Sequence, residues 1–224
     1  MLKNRIFTLF FAVLILTMTV SVNAENYVYS SNDKAGKKIA LTFDDGPHPK
    51  ITSKILDILD KYGVKATFFV IGTNVKNYPD QISRIYEKCH EIGNHTYSHN
   101  ILKSMPKSKI EKEIFDTIKE VEKICDYKPK ILRPPCGIFD YNLEKIAVEN
   151  NYKIVLWNID TNDWAHSSSS SIVKNVIKNV KDGAIILFHD YISGDYYSLD
   201  ALETLIPILL EQGYEFVTIT QLLQ

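Results

Sequence analysis

The run Ile39-Ala40-Leu41-Thr42-Phe43-Asp44-Asp45-Gly46-Pro47-His48 decides how the rest of the chain reads. A short apolar stretch passes without a break into two carboxylates, a Gly-Pro turn and a histidine. A continuous apolar run of this length fits a strand covered on both faces, as in a parallel sheet flanked by helices. The polar residues then fall at its C-terminal end. Outward from this stretch the same grammar repeats. Strand-like runs stand at residues 39–43, 66–71, 131–133, 154–157, 184–188 and 215–219, with a short one at 92–94. Between them, apolar residues recur at helical spacing: Ile51, Ile55, Ile58, Leu59 and Tyr62, then Ile110, Ile114, Ile118 and Val121. Ile172, Val173, Val176, Ile177 and Val180 repeat the pattern, as do Leu202, Leu205, Ile206 and Leu209. Gly63, Gly93, Gly183, Gly213 and the pair Asn150-Asn151 read as helix stops, because Gly and Asn accept the left-handed conformation that ends a helix.

Strand alternating with helix predicts an α/β protein with a mostly parallel sheet. The spacing suits a distorted β/α barrel of about seven strands, more compact than the eightfold form. A doubly wound open sheet is the alternative.

Composition narrows the classes further. The chain has 224 residues, 45% hydrophobic and 24% charged, which fits a folded domain and argues against disorder. Lys and Arg total 26 against 27 Asp and Glu, for a net charge of -1, so nothing favours a nucleic-acid partner. Lys3 and Arg5 precede an almost wholly apolar run at residues 6–20, and Val22-Asn23-Ala24 fits a small-x-small cleavage site. This is the pattern of a secretory signal over residues 1–24, followed by a polar lead-in at 25–37 and a folded unit at 38–224. The location expected is secreted or cell-envelope associated, with membrane contact only through an uncleaved signal segment. Three cysteines form no framework; Cys89 and Cys125 fall at apolar helical positions and are expected to be buried thiols.

Chemistry-bearing residues cluster at the ends of the strand-like runs. Asp44 to His48 follow the first; His95-Thr96-Tyr97-Ser98-His99 follow the short one at 92–94. Arg133-Pro134-Pro135-Cys136-Gly137, Asp160-Thr161-Asn162-Asp163-Trp164 and His189-Asp190 occupy the same place after three others. In a β/α barrel those ends meet on one face, where active sites are built. His95 and His99 would share a face if their segment were helical. Two neutral imidazoles and one carboxylate make a metal site with open positions. Asp44 and Asp45 are both candidate carboxylates; consecutive side chains diverge, so one can bind metal while the other faces a water.

Together Thr42-Phe43-Asp44-Asp45-Gly46-Pro47, Asn94 to His99, Arg133 to Gly137, Asp160 to Trp164 and Leu187-Phe188-His189 resemble, in order and spacing, the five motifs of the NodB-homology polysaccharide deacetylases, carbohydrate esterase family 4. The likeness spans residues 38–224. It implies a metal-dependent hydrolase that removes N-acetyl groups from an extracellular glycan, bacterial peptidoglycan first, with chitooligosaccharide or acetyl xylan as alternatives. It implies that Asp45, His95 and His99 bind one divalent metal, zinc by default, with cobalt, nickel, manganese or iron also suited. By the same likeness Asp44 is the general base, His189 the general acid, Arg133 orients Asp44, and Asp163 holds Arg133 or tunes His189. Trp164 and Leu187 would wall the acetyl pocket. Cys136 stands where the family commonly has Tyr; its backbone N–H would still serve the oxyanion, while its thiol could bind metal or oxidise.

The physics asks for such residues. An amide carbonyl is a poor electrophile, and a bound metal polarises it and brings the pKa of water from about 15.7 toward 7. A base must finish the deprotonation, and the departing nitrogen needs an acid of higher pKa. A glycan-binding protein on a decayed enzyme fold is the non-enzyme alternative, and an iron oxygenase the third. The chain is expected to act as a monomer on a polymeric or oligomeric N-acetylated glycan. His48 is expected in a loop or groove, His90 on a helix surface, and His166 with the serines at 167–171 in a solvated loop. Asp190 would either orient His189 or cap the next turn, and Tyr191, Tyr196 and Tyr197 could stack on sugar rings.

Overall fold

The computed structural model describes residues 27–224, and the signal expected at residues 1–24 lies outside them. Strand β1 is Val28–Tyr29, followed by β2 (Lys38–Asp44), β3 (Thr67–Val70), β4 (Glu91–Asn94), β5 (Ile131–Leu132), β6 (Lys153–Val155), β7 (Ile159–Asp160), β8 (Ile185–His189) and β9 (Glu215–Phe216). The helices are α1 (Ile51–Tyr62), α2 (Gly72–Asn77), α3 (Pro79–Glu87), α4 (Lys107–Cys125), α5 (Tyr141–Asn150), α6 (Ser169–Asn179), α7 (Tyr197–Glu211) and α8 (Ile219–Leu222). The strands form one sheet in the order β1-β6-β5-β4-β3-β2-β8-β7, with β9 added beside the start of β2. Every strand pairing is parallel. This is the curled α/β sheet of a distorted β/α barrel, as the alternation of strand and helix predicts.

Strand β2 shows why the site forms where it does. Successive side chains of a strand point to opposite faces. Ile39, Leu41 and Phe43 face the helices, in the cluster that holds Ile55, Leu59, Leu202 and Leu205. Phe43 stacks on Phe68 at 5.0 Å and meets Phe188 at 5.8 Å. Ala40 points the other way, into a smaller cluster with Phe69, Ile131, Val155 and Ile185 that fills the inside of the curl. Thr42 and Asp44 continue on that inner face, so the strand delivers a carboxylate above a packed apolar floor. Truncating Phe43 to Ala would cost about 3–5 kcal/mol of stability, the usual loss for a buried aromatic.

Helix ends follow local chemistry. Gly63 and Asn151 end α1 and α5 in the left-handed conformation, and the Asp140 and Ser168 side chains cap the starts of α5 and α6. Strand β9 stops at Phe216 rather than 219, because Thr218 caps α8 and Gln221 returns the bond to its backbone. Gly93 is no helix stop: it lies in β4, where a Cβ would fall 2.5 Å from the Phe69 ring. The two-residue strands β1 and β7 bring the count among the described residues to nine. The lead-in thus supplies a strand, and the residues after it bridge Ser31 to Ala184 just ahead of β8. Cys89 is exposed and Cys125 half-buried, against the expectation of buried thiols. His90 is buried rather than on a helix surface; its Nδ1 accepts from the Ala66 N–H at 3.2 Å and its ring meets Phe68 edge-on. No helix among the described residues is long and apolar enough to cross a membrane.

Candidate active site

Strands β2, β4, β5 and β8 end on the same rim. Asp44 and His189 are register partners on β2 and β8, so the carboxylate and the imidazole stand side by side although far apart in sequence. Asp45 follows with a left-handed φ of 74°, which swings its side chain away from that of Asp44. The Asn74 amide donates to the Asp45 carbonyl at 2.7 Å and fixes the turn.

His95 and His99 do converge, though not on a helical face. The segment is an irregular loop with left-handed φ at Thr96 and His99. Asn94 shapes it by accepting from the Thr96 N–H at 2.8 Å while its amide donates to the Ile114 carbonyl. His95 Nδ1 lies 2.8 Å from the Arg133 carbonyl, which can only accept. The proton is therefore on Nδ1, and in the neutral ring Nε2 presents a lone pair. That Nε2 lies 3.3 Å from Asp45 Oδ1, and His99 Nε2 lies 3.1 Å from the same oxygen. The three prospective ligand atoms fall within 4.8 Å of one another. Asp45 Oδ1 is buried without a hydrogen bond of acceptable geometry. Lone pairs converging on one point repel unless a cation or a proton lies between them, so the donor set fits a divalent metal. Burial alone would raise the Asp45 carboxyl, but the two imidazoles outweigh it and hold it well below the usual carboxylate range. Asp45 in turn raises the pKa of His99.

Arg133 is fully buried beneath Asp44. Its Nη1 donates to Asp44 Oδ1 at 2.7 Å and to Thr42 Oγ1 at 2.8 Å. Nε and Nη2 donate to the carbonyls of Val155 and Leu156 at 3.1 and 2.9 Å, and the guanidinium lies 4.1 Å over the Phe69 ring. Burial lowers the Arg133 pKa, while the carboxylate of Asp44 opposes that shift. A buried charge needs this full set of partners.

Asp163 serves His189 and not Arg133. One carboxylate oxygen lies 2.8 Å from His189 Nδ1, and the other accepts from the His189 N–H at 2.8 Å. Burial would lower the imidazole pKa, but the Asp163 carboxylate, helped by Asp44 and Asp45, pushes it up to about 9.

Asp44, Asp45, His95, His99 and His189 line a cavity of about 410 Å³ together with Cys136, Trp157, Asp160, Trp164 and Leu187. Leu187 is buried; Trp164 is half exposed at the mouth. Cys136 sits in the turn Pro135–Gly137 with a φ of 57°, and no hydrogen bond engages its N–H among the described residues. Its thiol lies outside the set of ligand atoms that could share a metal. Sequence reading gave no role to Trp157 or Asp160. Their position at strand ends was the available signal. Asp160 Oδ1 accepts from the Asn162 N–H at 2.8 Å and from the Trp164 indole at 3.4 Å. Asp190 neither touches the His189 ring nor caps the next turn; its carboxylate accepts from the Thr52 hydroxyl instead. His48 is a loop residue whose Nδ1 accepts from the N–H groups of Lys50 and Ile51, both at 3.0 Å, at the start of α1.

A carboxylate beside an imidazole, next to a His-His-Asp donor set on the C-terminal rim of a parallel α/β sheet, is an arrangement suited to metal-assisted hydrolysis. The polysaccharide deacetylase profile matches residues 31–155, and the chain belongs to that family. It is 41% identical over 202 residues to a peptidoglycan-N-acetylglucosamine deacetylase of Bacillus cereus, covering 89% of this chain and 74% of the relative. Its fold matches a crystal structure of a peptidoglycan N-acetylglucosamine deacetylase in complex with an N-oxidanyl-benzamide, with a TM-score of 0.84, 40% identity, and 88% of this chain and 92% of the other covered. It is also similar to a family 4 acetyl xylan esterase from Clostridium thermocellum in complex with a cobalt ion, with a TM-score of 0.77, 38% identity, and coverage of 83% and 89%.

Proposed function

We propose that this protein is an extracytoplasmic, metal-dependent deacetylase of N-acetylated glycan, with peptidoglycan as its substrate. One observation carries the reading: Asp44 and His189 stand in register on adjacent strands and face the same cavity as the Asp45, His95 and His99 donor set. The catalytic unit is residues 38–224, with strand β1 from the lead-in packed beside it.

Asp45, His95 and His99 would hold the cation, zinc by default. When bound, it would supply a Lewis acid that polarises the acyl carbonyl and acidifies water. Asp44, kept in place by Arg133, takes the proton from the attacking water. The Cys136 N–H is free to donate to the developing oxyanion, an interaction that strengthens as negative charge accumulates. His189, kept protonated by Asp163, gives its proton to the departing nitrogen, without which C–N cleavage would expel an amide anion. Leu187 and Trp164 wall a small apolar space that fits an acetyl methyl.

The test is acetate release from peptidoglycan, chitin oligomers and acetylated xylan, with and without chelator. The reading expects chelator-sensitive release from peptidoglycan above the other two. Asp44→Asn should lose about 10²–10⁴-fold in rate, the usual contribution of a positioned base, with zinc still bound. Release that ignores chelator, or an Asp44→Asn variant with parental activity, would refute the mechanism. Release only from chitin oligomers or xylan would refute the substrate. N-terminal sequencing of protein recovered outside the cytoplasm tests the signal at residues 1–24.

A further inference from the structure

Asp190 has no part in the chemistry just described, yet it is 1% exposed and placed directly under the loop that carries it. Its N–H donates to the Asp44 carbonyl at 3.1 Å, which ties the end of β8 to the end of β2. Its carboxylate accepts from Thr52 Oγ1, and that hydroxyl also accepts from the His48 N–H at 2.8 Å. The second carboxylate oxygen, Oδ1, is buried with no hydrogen-bond partner. A carboxyl held this way normally costs stability, so its presence needs a reason.

The reason lies across from it, at Gly46. A Cβ on Gly46 would fall 2.2 Å from both Asp190 oxygens. The φ of Gly46 is not positive, so its backbone conformation is open to other residues. What excludes a side chain there is Asp190 alone among the nearest atoms. The carboxyl therefore packs against the Gly46 backbone, the residue that follows the ligand Asp45. The same short stretch is gripped from other sides by the Asn74 amide on the Asp45 carbonyl and by the Ile71 N–H on the Gly46 carbonyl, at 2.7 and 2.9 Å.

We propose that Asp190 is a positioning residue for the metal site: its carboxyl, locked by Thr52, wedges under Gly46 and sets where Asp45 stands relative to His95 and His99. Its role is shape rather than charge. Burial, with the nearby Asp45 and Asp44, pushes the Asp190 carboxyl up to about 7 despite the hydrogen bond from Thr52. Groups that hold metal ligands from behind are worth about 10–100-fold in metal affinity.

This inference rests on the reading that Asp45, His95 and His99 bind a divalent cation. The experiment measures the zinc Kd by competition with a chromophoric chelator for the parent, Asp190→Ala, Asp190→Asn, Gly46→Ala and Gly46→Ala/Asp190→Ala. Asp190→Ala should weaken zinc binding about 10–100-fold. Asp190→Asn keeps the wedge and an acceptor for Thr52, and should stay close to the parent. Gly46→Ala should also bind weakly, and the double variant should bind more tightly than Gly46→Ala alone, because the oxygens in the way of the new methyl are gone. The Gly46 pair decides the matter if Asp190→Ala alone does not fold. A parent that binds no zinc overturns the metal reading and this one with it. A parent that binds zinc, with Asp190→Ala within twofold of it or with the two losses simply multiplying, overturns this inference alone.

Discussion

Replacing Asp163 by Asn changes one charge and almost no volume. In the parent, burial would lower the His189 pKa, but the Asp163 carboxylate raises it to about 9 from the ordinary 6.5. Without that carboxylate, burial acts against a weaker pull from Asp44 and Asp45, and a bound cation offsets both. The imidazole should then titrate at or below its ordinary value. A general acid must carry its proton, so activity falls as pH rises through the pKa. At pH 8 a group of pKa 9 is about nine-tenths protonated, and one of pKa 6.5 only about 3%, a loss of roughly 30-fold in active form. The expected result is an alkaline limb of kcat/KM that moves down by about two pH units or more in Asp163→Asn, with near-parental rates at pH 6. The stability linkage has the same sign. A raised histidine pKa stabilises the fold fully below 6.5, and that contribution disappears as pH passes about 9. The melting-temperature deficit of Asp163→Asn should therefore shrink between pH 6 and pH 10. An alkaline limb unmoved by the substitution would refute His189 as the proton donor tuned by Asp163.

Three further outcomes follow from the same contacts. Arg133→Met leaves Asp44 buried without its cation and should cost about 3–5 kcal/mol, seen as a lower melting temperature; an unchanged melt would contradict the buried pair. Protons compete with metal at His99, whose pKa Asp45 raises, so zinc affinity should fall about tenfold per pH unit once pH drops below that pKa. A zinc Kd constant between pH 7.5 and 5.5 would contradict this. Cys136→Ala should keep zinc affinity and most activity, since the thiol lies outside the metal-capable set and the backbone N–H remains; loss of zinc would make the thiol a ligand after all.

Strand β2 explains why so much was legible in the sequence. Its unbroken apolar run reads as a strand covered on both faces, and the fold covers it so, with Ile39, Leu41 and Phe43 against the helices and Ala40 inside the curl. Polar clusters at strand ends were visible for the same reason. What stayed hidden depends on partners remote in the chain. The two-residue strands β1 and β7 carry no pattern of their own and exist through β6 and β8. His90 is buried because Phe68 and Ala66 cover it, which local spacing could not reveal. The i, i+4 spacing of His95 and His99 would put them on one face of a helix, whereas the Asn94 side chain and left-handed backbone build a loop with the same outcome. Asp163 had two prospective partners, and only the register of β8 against β7 brings it to His189. The Asp190–Thr52 contact joins residues 138 apart and has no signature in either neighbourhood.

One cation should sit between Asp45, His95 and His99, with Asp44 and His189 beside it. Anomalous diffraction at the zinc edge from crystals of the zinc-loaded protein tests it directly. A single strong peak is expected within bonding distance, about 2.0–2.2 Å, of one atom from each of those three residues. A peak held by other residues, or no peak at this rim, would contradict it.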